Sequence, residues 1–523
     1  MAVSAKPEAY AGWLCTVVIP GTWAGRAAVI GAMLALITTA TAGELEINPT
    51  ASVSGFYSDN ISLAPPEEAQ DEWILEATPG LGITATGNRL ELSTDYRLQT
   101  LTYLHEDRGG RLNHQLQGSA TGELIENHLF LEANSGIRQQ TLSPQNNIAL
   151  DNINQGNRGT VYTTEVGPRL TTRLDDWASL ESDYRYSLVR YETGAQDSDI
   201  HQVNAALASG PALPRISWQA NYNASIEDRE TTADLTRQDF SGRLGYQVTR
   251  TWQVFGQGGY SDNDINTTRG VNNGTYWAAG LNYAPTDRYT FEVAFGPDYK
   301  IASATLELTP RTQLSGSWRD TNVGINTGTV WQGSLQINNR RWRLSAGYTE
   351  RVTTTQRLAL GEPSFNFVDP VTGEIVTAPE PGQTVEIIPS RTFELTDEVF
   401  IERDANIGFG ITGARTAIQL SAFYRQRSFL DEDQTSDSRG GDIGINRQLG
   451  ARSSLDLTTG LRDGESGLVA NANRLVFVDL GLTKGFPREL NLRAAYRHTR
   501  ETGRNAANDY QENRASLTLS KQF

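Results

Sequence analysis

Residues 88–104 alternate apolar and polar side chains with a period of two. Leu90, Leu92, Tyr96, Leu98 and Leu104 share one parity, while Arg89, Glu91, Ser93, Asp95, Arg97 and Gln99 share the other. In 177–188, Ala178, Leu180, Tyr184, Tyr186 and Leu188 oppose Glu181, Asp183, Arg185 and Ser187. In 490–497, Leu490, Leu492, Ala494 and Tyr496 oppose Asn491, Arg493 and Arg497. A helix would scatter these residues around its circumference, so the pattern predicts strands. Strands of soluble sheets average about 5–6 residues, and a tilted membrane-crossing strand needs about 9–11. The alternating runs here reach about 12–16. Each can cross a bilayer with its apolar parity toward lipid and its charged parity toward a wet lumen.

The connections alternate in kind. One set is tight and rich in arginine: Gly87-Asn88-Arg89, Pro214-Arg215, Thr249-Arg250, Asp287-Arg288, Pro310-Arg311, Asn339-Arg340-Arg341, Ala414-Arg415, Ala451-Arg452 and Pro487-Arg488. The other set is longer and mostly acidic or neutral, at 58–72, 142–158, 192–200, 226–235, 261–272, 355–393 and 429–439. Short turns at one end and long loops at the other are the asymmetry of an outer-membrane barrel. Counting the runs between them predicts an all-β fold: a single transmembrane antiparallel up-and-down β-barrel of about 24 strands, with 22–26 compatible. Trp177, Trp252 and Trp342 each open a strand just after a short turn, and Trp218 lies close behind one. They are expected to form an interface girdle, against the alternative of ordinary strand propensity.

Composition narrows the class. The only cysteine is Cys15 and the only methionines are Met1 and Met33, all in the first 42 residues. A disulfide scaffold, a thiolate nucleophile and a cysteine metal site are therefore excluded from the remainder. The formal charge of -16 disfavours a nucleic-acid surface. Arg26 precedes an apolar run that ends in Ala40-Thr41-Ala42 before Gly43. That is the build of a cleaved secretory signal, residues 1–42, with an extended N-terminus from the apolar stretch 10–25. A retained membrane anchor is the alternative, disfavoured because the run after Arg26 is short for a span. Residues 43–523 are then expected to form the barrel, with 355–393 as its long loop. No other run of about 20 apolar residues follows.

The polar residues offer few sites for chemistry. His105, His114, His128, His201 and His498 are scattered, and none has a metal-ligand spacing or a nucleophile beside it. His114 shares the apolar parity of its strand. The acidic run from Asp431 to Asp442 can be read as a hard-cation loop, but it lacks the EF-hand pattern and reads better as a solvated hairpin loop. No catalytic residue, metal site or cofactor is expected. The best functional candidates are the predicted lumen-lining residues Asp95, Arg97, Gln99, Glu132, Asn134, Arg138, Glu181, Asp183, Arg185, Arg493 and Arg497. Mixed charges suit a hydrated conduit for sugars or other solutes; lumen hydration and bracing of the wall explain any one of them equally well. The segment 355–393, with five prolines, can fold inward as a constriction or outward as a surface loop.

Three stretches carry a family resemblance: "INPTASVSGFYSDNISLAP", "ATPGLGITATGNRLELSTDYRLQTLTY" and "NHLFLEANSGIRQQTLSPQNN". With them the chain resembles the outer-membrane β-barrel proteins associated with the PEP-CTERM/exosortase system, within a broader porin-like superfamily. The resemblance implies a Gram-negative outer-membrane location after Sec-type export. It also implies a link to exopolysaccharide production and its biosynthesis or export complex, and carries no catalytic residues. The final segment "NRASLTLSKQF" places Leu517, Leu519 and Phe523 on one face and resembles the signal read by the β-barrel assembly machinery. Its apolar face is expected to meet membrane lipid, and its edge to pair with the first strand. Lys521 shares the lipid-side parity and is expected to snorkel to the interface. The function expected is a non-enzymatic, porin-like passage. A structural barrel displaying acidic loops to anchor matrix polysaccharide or surface proteins is the alternative, and an outer-membrane hydrolase a remote third.

Overall fold

The computed structural model describes residues 43–523, apart from 106–108, 143–146, 148, 155, 194, 231, 265–271, 362–365, 369–374, 377–383, 387–395, 431–433, 467–470 and 504–508. The expected signal segment 1–42, most of 355–393 and Asp431–Asp433 thus lie outside the described residues.

The alternating runs form 24 long antiparallel strands. The first nine are β1 (Glu44–Ser58), β2 (Glu72–Thr86), β3 (Leu90–Tyr103), β4 (Arg111–Ile125), β5 (Leu129–Thr141), β6 (Arg158–Leu174), β7 (Ala178–Tyr191), β8 (Ser198–Ser209) and β9 (Ile216–Arg229). Then come β10 (Leu235–Gln247), β11 (Trp252–Asp264), β12 (Gly274–Thr286), β13 (Tyr289–Phe295), β14 (Tyr299–Thr309), β15 (Thr312–Thr321), β16 (Gly328–Asn338) and β17 (Trp342–Thr353). A short helix α1 (Thr355–Gly361) and a small sheet of β18 (Asn366–Val368), β19 (Ile375–Val376) and β20 (Thr384–Glu386) interrupt the series. It resumes with β21 (Phe400–Thr412), β22 (Thr416–Phe429), β23 (Thr435–Gly450), β24 (Ser453–Ser466), β25 (Asn471–Phe486), β26 (Leu490–Gly503) and β27 (Tyr510–Gln522). Among the described residues no helix is long and apolar enough to cross a membrane.

Each strand pairs with its neighbour in sequence, β17 pairs with β21, and β1 pairs with β27, so the sheet closes. Thr50–Ser58 of β1 lie against Arg514–Gln522 of β27, and the Phe523 amide donates to the Pro49 carbonyl at 3.0 Å. Closure removes the unpaired edge that a bilayer does not tolerate. The tight turns fit their residues: Asn127 and Asp175 adopt left-handed φ of 57° and 50°, which Asn and Asp accept more readily than other side chains.

Register decides which face each residue takes, because cross-strand partners share a face. On β2 the outward column is Trp73, Leu75, Ala77, Pro79, Leu81, Ile83 and Ala85, without a charge. At about 3.3 Å per residue and a tilt near 40°, this column spans about 30 Å across the membrane. Trp218, Trp252 and Trp342 stand on outward parities at the turn end, and Trp252 stacks on Tyr283 at 4.3 Å. Trp177 lies in the turn itself, one residue before β7 begins. A second belt, which the sequence did not suggest, lies toward the loop end: Trp73 against Tyr57 at 5.0 Å, Trp277, and Trp318 with Trp331 at 6.4 Å. Two aromatic belts bracketing an apolar band are what a barrel needs at two membrane–water interfaces.

Candidate functional site

The inner face carries the charges. Register places Asp95, Arg97 and Gln99 of β3, Glu132, Asn134 and Arg138 of β5, Glu181, Asp183 and Arg185 of β7, and Arg493 and Arg497 of β26 on inward parities. They do not form one cluster. Glu132 takes Arg169 at 2.6 Å, Asn134 donates to Glu165 at 3.4 Å, and Asp183 lies 3.6 Å from Arg185 and accepts from Asn204 at 2.9 Å. Apart from Asp183 with Arg185, both on β7, these contacts run from strand to strand and brace the wall. A longer brace crosses two intervening strands: Arg243 of β10 forms a bidentate pair with Glu292 of β13 at 3.0 and 2.8 Å. Its guanidinium lies 3.5 Å over the ring of Phe255. Gly280 makes room for that ring, since a Cβ there would lie 2.4 Å from it.

Arg493 and Arg497 belong to a chain of charges that leaves the wall. Arg493 grips Asp456 at 2.7 and 2.6 Å and approaches Asp479 at 3.6 Å. Arg497 bonds Asp479 through Nε at 2.8 Å and Asp151 through Nη1 at 2.8 Å. Arg514 reaches the other oxygen of Asp151 at 2.9 Å and Glu512 at 3.3 Å. Asp151 comes from the loop between β5 and β6, which folds inward over the described stretch Ala149–Asn154. Leu150 enters an apolar nest with Leu63, Leu475, Phe477 and Tyr510, and Ile153 enters another with Ile61, Ile74, Leu101 and Tyr103. The polar residues between them complete the dock. Asn152 donates to Gln99 and Gln139 at 3.1 and 3.2 Å, Asn154 donates to Glu512 at 3.1 Å, and the Tyr103 hydroxyl donates to the Ile153 carbonyl at 2.8 Å. Burial pushes the Asp151 carboxyl upward, but Arg514 and Arg497 outweigh it and hold its pKa at about 2, below the ordinary 3.8.

A second inward piece starts where β17 ends. Thr354 and Arg357 bond the fully buried Glu227 of β9 at 3.0 and 2.9 Å, and Arg357 also donates to Ser225. Arg138 of β5 donates to the Ala359 carbonyl at 2.9 Å. Ala359 packs against Val161, Val189 and Tyr191 on the inner wall of β6 and β7. Arg237 of β10 reaches the Val352 carbonyl of β17 at 3.4 Å. Strands far apart around the barrel thus meet across its loop end, which narrows the mouth there.

Sequence reasoning singled out residues of the wall but missed Asp151, Glu227, Arg357, Asp456, Asp479, Glu512 and Arg514. Arg514 sat on the polar face of the final strand, a usable signal, whereas nothing local marks Asp151. The histidines stay dispersed. His114 and His201 face outward, within 2.7 and 2.8 Å of the Tyr96 and Tyr184 hydroxyls, and His498 bonds Asn513 at 2.8 Å. Among the described residues no group of three or more His, Cys, Asp or Glu side chains is placed to hold a metal ion.

A closed sheet that is apolar outside, charged inside and narrowed by inward segments defines a transmembrane β-barrel with a hydrated lumen. Solved structures similar to it include the siderophore receptor PirA from Pseudomonas aeruginosa, at 10% identity over 90% of this chain and 80% of that one, with a TM-score of 0.39. OccAB3 from Acinetobacter baumannii matches at 11% identity over 91% and 100% of the two chains, with a TM-score of 0.32. OmpT lacking loop L8, an outer membrane protein of Vibrio cholerae, matches at 9% identity over 92% and 100%, with a TM-score of 0.33. At these values the likeness is that of one large barrel to another. No protein-family model matches the chain, and no curated protein matches it in sequence.

Proposed function

We propose that the protein is a non-enzymatic outer-membrane conduit whose lumen passes a hydrated solute, with exopolysaccharide or its export complex as partner in a PEP-CTERM/exosortase surface system. The observation that carries the reading is the ionic dock of Asp151. A barrel of this many strands is wider than its own side chains can fill, and here the lumen is narrowed by loop pieces held through a few polar and apolar contacts. Such pieces can leave; a packed core cannot. A display role is the second reading, favoured by the acidic loop end with Glu67, Glu68, Asp71, Glu230 and Asp234. The test is single-channel conductance of the folded barrel in planar bilayers, expected to be measurable and to rise when 355–393 is deleted. A folded barrel with no conductance, whose deletion instead reduces polymer retained at the cell surface, would replace the conduit with the display role.

A further inference from the structure

The arginines of the tight turns brace nothing in the lumen. Nine of the eleven turns carry at least one, and all are exposed, among them Arg215, Arg250, Arg288, Arg311, Arg341 and Arg415. Against them stand Glu126, Asp175, Asp176, Asp287 and Glu489. Among the described residues only Arg89 has a carboxylate within ion-pair distance, Glu126 at 3.8 Å. With strands about 4.8 Å apart, one hairpin follows the next every ~10 Å around the rim, so the cations form a collar.

The outer surface just above the collar shows what it faces. Arg447, Lys484 and Lys521 stand on lipid-side parities at the turn ends of β23, β25 and β27. Arg447 bonds Thr416, Lys484 bonds Ser453, and Lys521 lies 4.0 Å over the Phe523 ring; no described carboxylate neutralises them. Most outward cations at the loop end differ: Lys300 is paired with Asp320 at 3.2 Å, and Arg439 and Arg474 with Asp463 at 2.9 and 3.2 Å, while Arg500 has no ion pair among the described residues. Trp218, Trp252 and Trp342 lie at the same level as the uncompensated cations. A soluble protein would dock on one arc of the rim. A collar over nine of the eleven turns, open only at the two neighbouring turns between β4 and β7, set beside an aromatic belt and continued onto the lipid-facing surface, fits a lipid annulus.

We infer that the turn-side rim binds anionic phospholipid headgroups and enriches them in the leaflet it faces. This rests on the barrel's span of the membrane and not on the conduit reading. The full chain is reconstituted in phosphatidylcholine vesicles, and spin-labelled phosphatidylglycerol is compared with spin-labelled phosphatidylcholine for association with its surface. The expected result is about a fivefold preference for the anionic lipid at low salt, the effect of one cation near a charged surface, falling toward unity in 1 M salt. Replacing the ten turn arginines together with Arg447, Lys484 and Lys521 by glutamine is expected to abolish the preference, and exchanging the arginines among them for lysine to keep it. Equal association of the two lipids with the wild-type chain overturns the inference, as does a preference that survives the glutamine variant. Binding of polyglutamate in detergent without any lipid preference would assign the collar to an acidic protein segment instead. If the glutamine variant does not fold, the wild-type lipid comparison and its salt dependence decide alone. Loss of conductance would leave all these readouts untouched.

Discussion

Replacing Asp151 by asparagine removes the charge that joins the inward loop to the wall while keeping the size of the side chain. Ordering the six residues Ala149–Asn154 costs about 6–12 kcal/mol of backbone freedom. Burial of Leu150 and Ile153 offsets about 3–6 of this. The hydrogen bonds of Asn152, Asn154 and Tyr103, at about 1 each, offset about 5 more. The two sides nearly cancel, so the ionic link decides whether the segment stays docked. The fall of the Asp151 pKa from 3.8 to about 2 corresponds to about 2 kcal/mol, or about thirtyfold in the docking equilibrium. Arg497 keeps Asp479 and Arg514 keeps Glu512 in the variant, so neither cation is stranded. In single-channel recordings the ratio of open to occluded time is expected to rise about thirtyfold for Asp151→Asn. The wild type supplies the matching pH test. A carboxyl whose pKa is depressed in the docked state stabilises docking fully above its free value, and loses that contribution as the pH falls through about 2. The ratio should therefore be flat from pH 7 to about 5 and rise between about 4 and 2. An Asp151→Asn barrel that migrates as folded, yet shows wild-type open and occluded times, would refute the reasoning.

Two other perturbations separate the second inward piece and the seam. Glu227→Gln leaves the half-buried Arg357 without its carboxylate, and should cost about 1–3 kcal/mol at that contact. Limited proteolysis within 355–361 should become faster while the barrel stays folded, and an unchanged cleavage rate would count against the contact. Deleting Phe523 removes the amide that bonds Pro49 and the ring beneath Lys521. The yield of heat-modifiable barrel in outer-membrane fractions should fall, while molecules that do assemble conduct normally; an undiminished yield would show that the terminal aromatic is dispensable for assembly.

Facing was legible in the sequence because it is decided locally. Period-two alternation assigns each residue of a strand to lipid or lumen, and the turn residues fix where the assignment restarts. That is why Asp183 and Leu180 could be sorted without a partner in view, and why strands could be counted. The loop-end Trp belt was not legible, because Trp277, Trp318 and Trp331 lie several residues inside their strands, away from any turn that would flag them. The inward segments were hidden for a stronger reason. "LDNINQGN" reads as an Asx-rich surface loop, and it does hold an Asx turn, with the Ile153 amide donating to Asp151 at 3.1 Å, but Leu150, Asn152, Ile153 and Asn154 are buried. Its partners Arg497 and Arg514 lie 346 and 363 residues away, so only the closed barrel brings them together.

The same distinction separates two arginines that look alike in sequence. Arg493 and Arg497 share a strand and a parity, and either could hydrate or brace the wall. The bonds of Arg493 to Asp456 and Asp479 run strand to strand, so they hold the cylinder whatever the loops do. Arg497 shares Asp479 with it but turns its other nitrogen to Asp151, so it couples that cylinder to a piece of chain that is only marginally docked. Charge on an inner face is required for solvation alone, and for that reason the inventory of lumen charges does not distinguish a pore from a braced shell. A charge shared between the wall and a removable segment does, and on the conduit reading it is Arg497 and Arg514, through Asp151, that set the aperture.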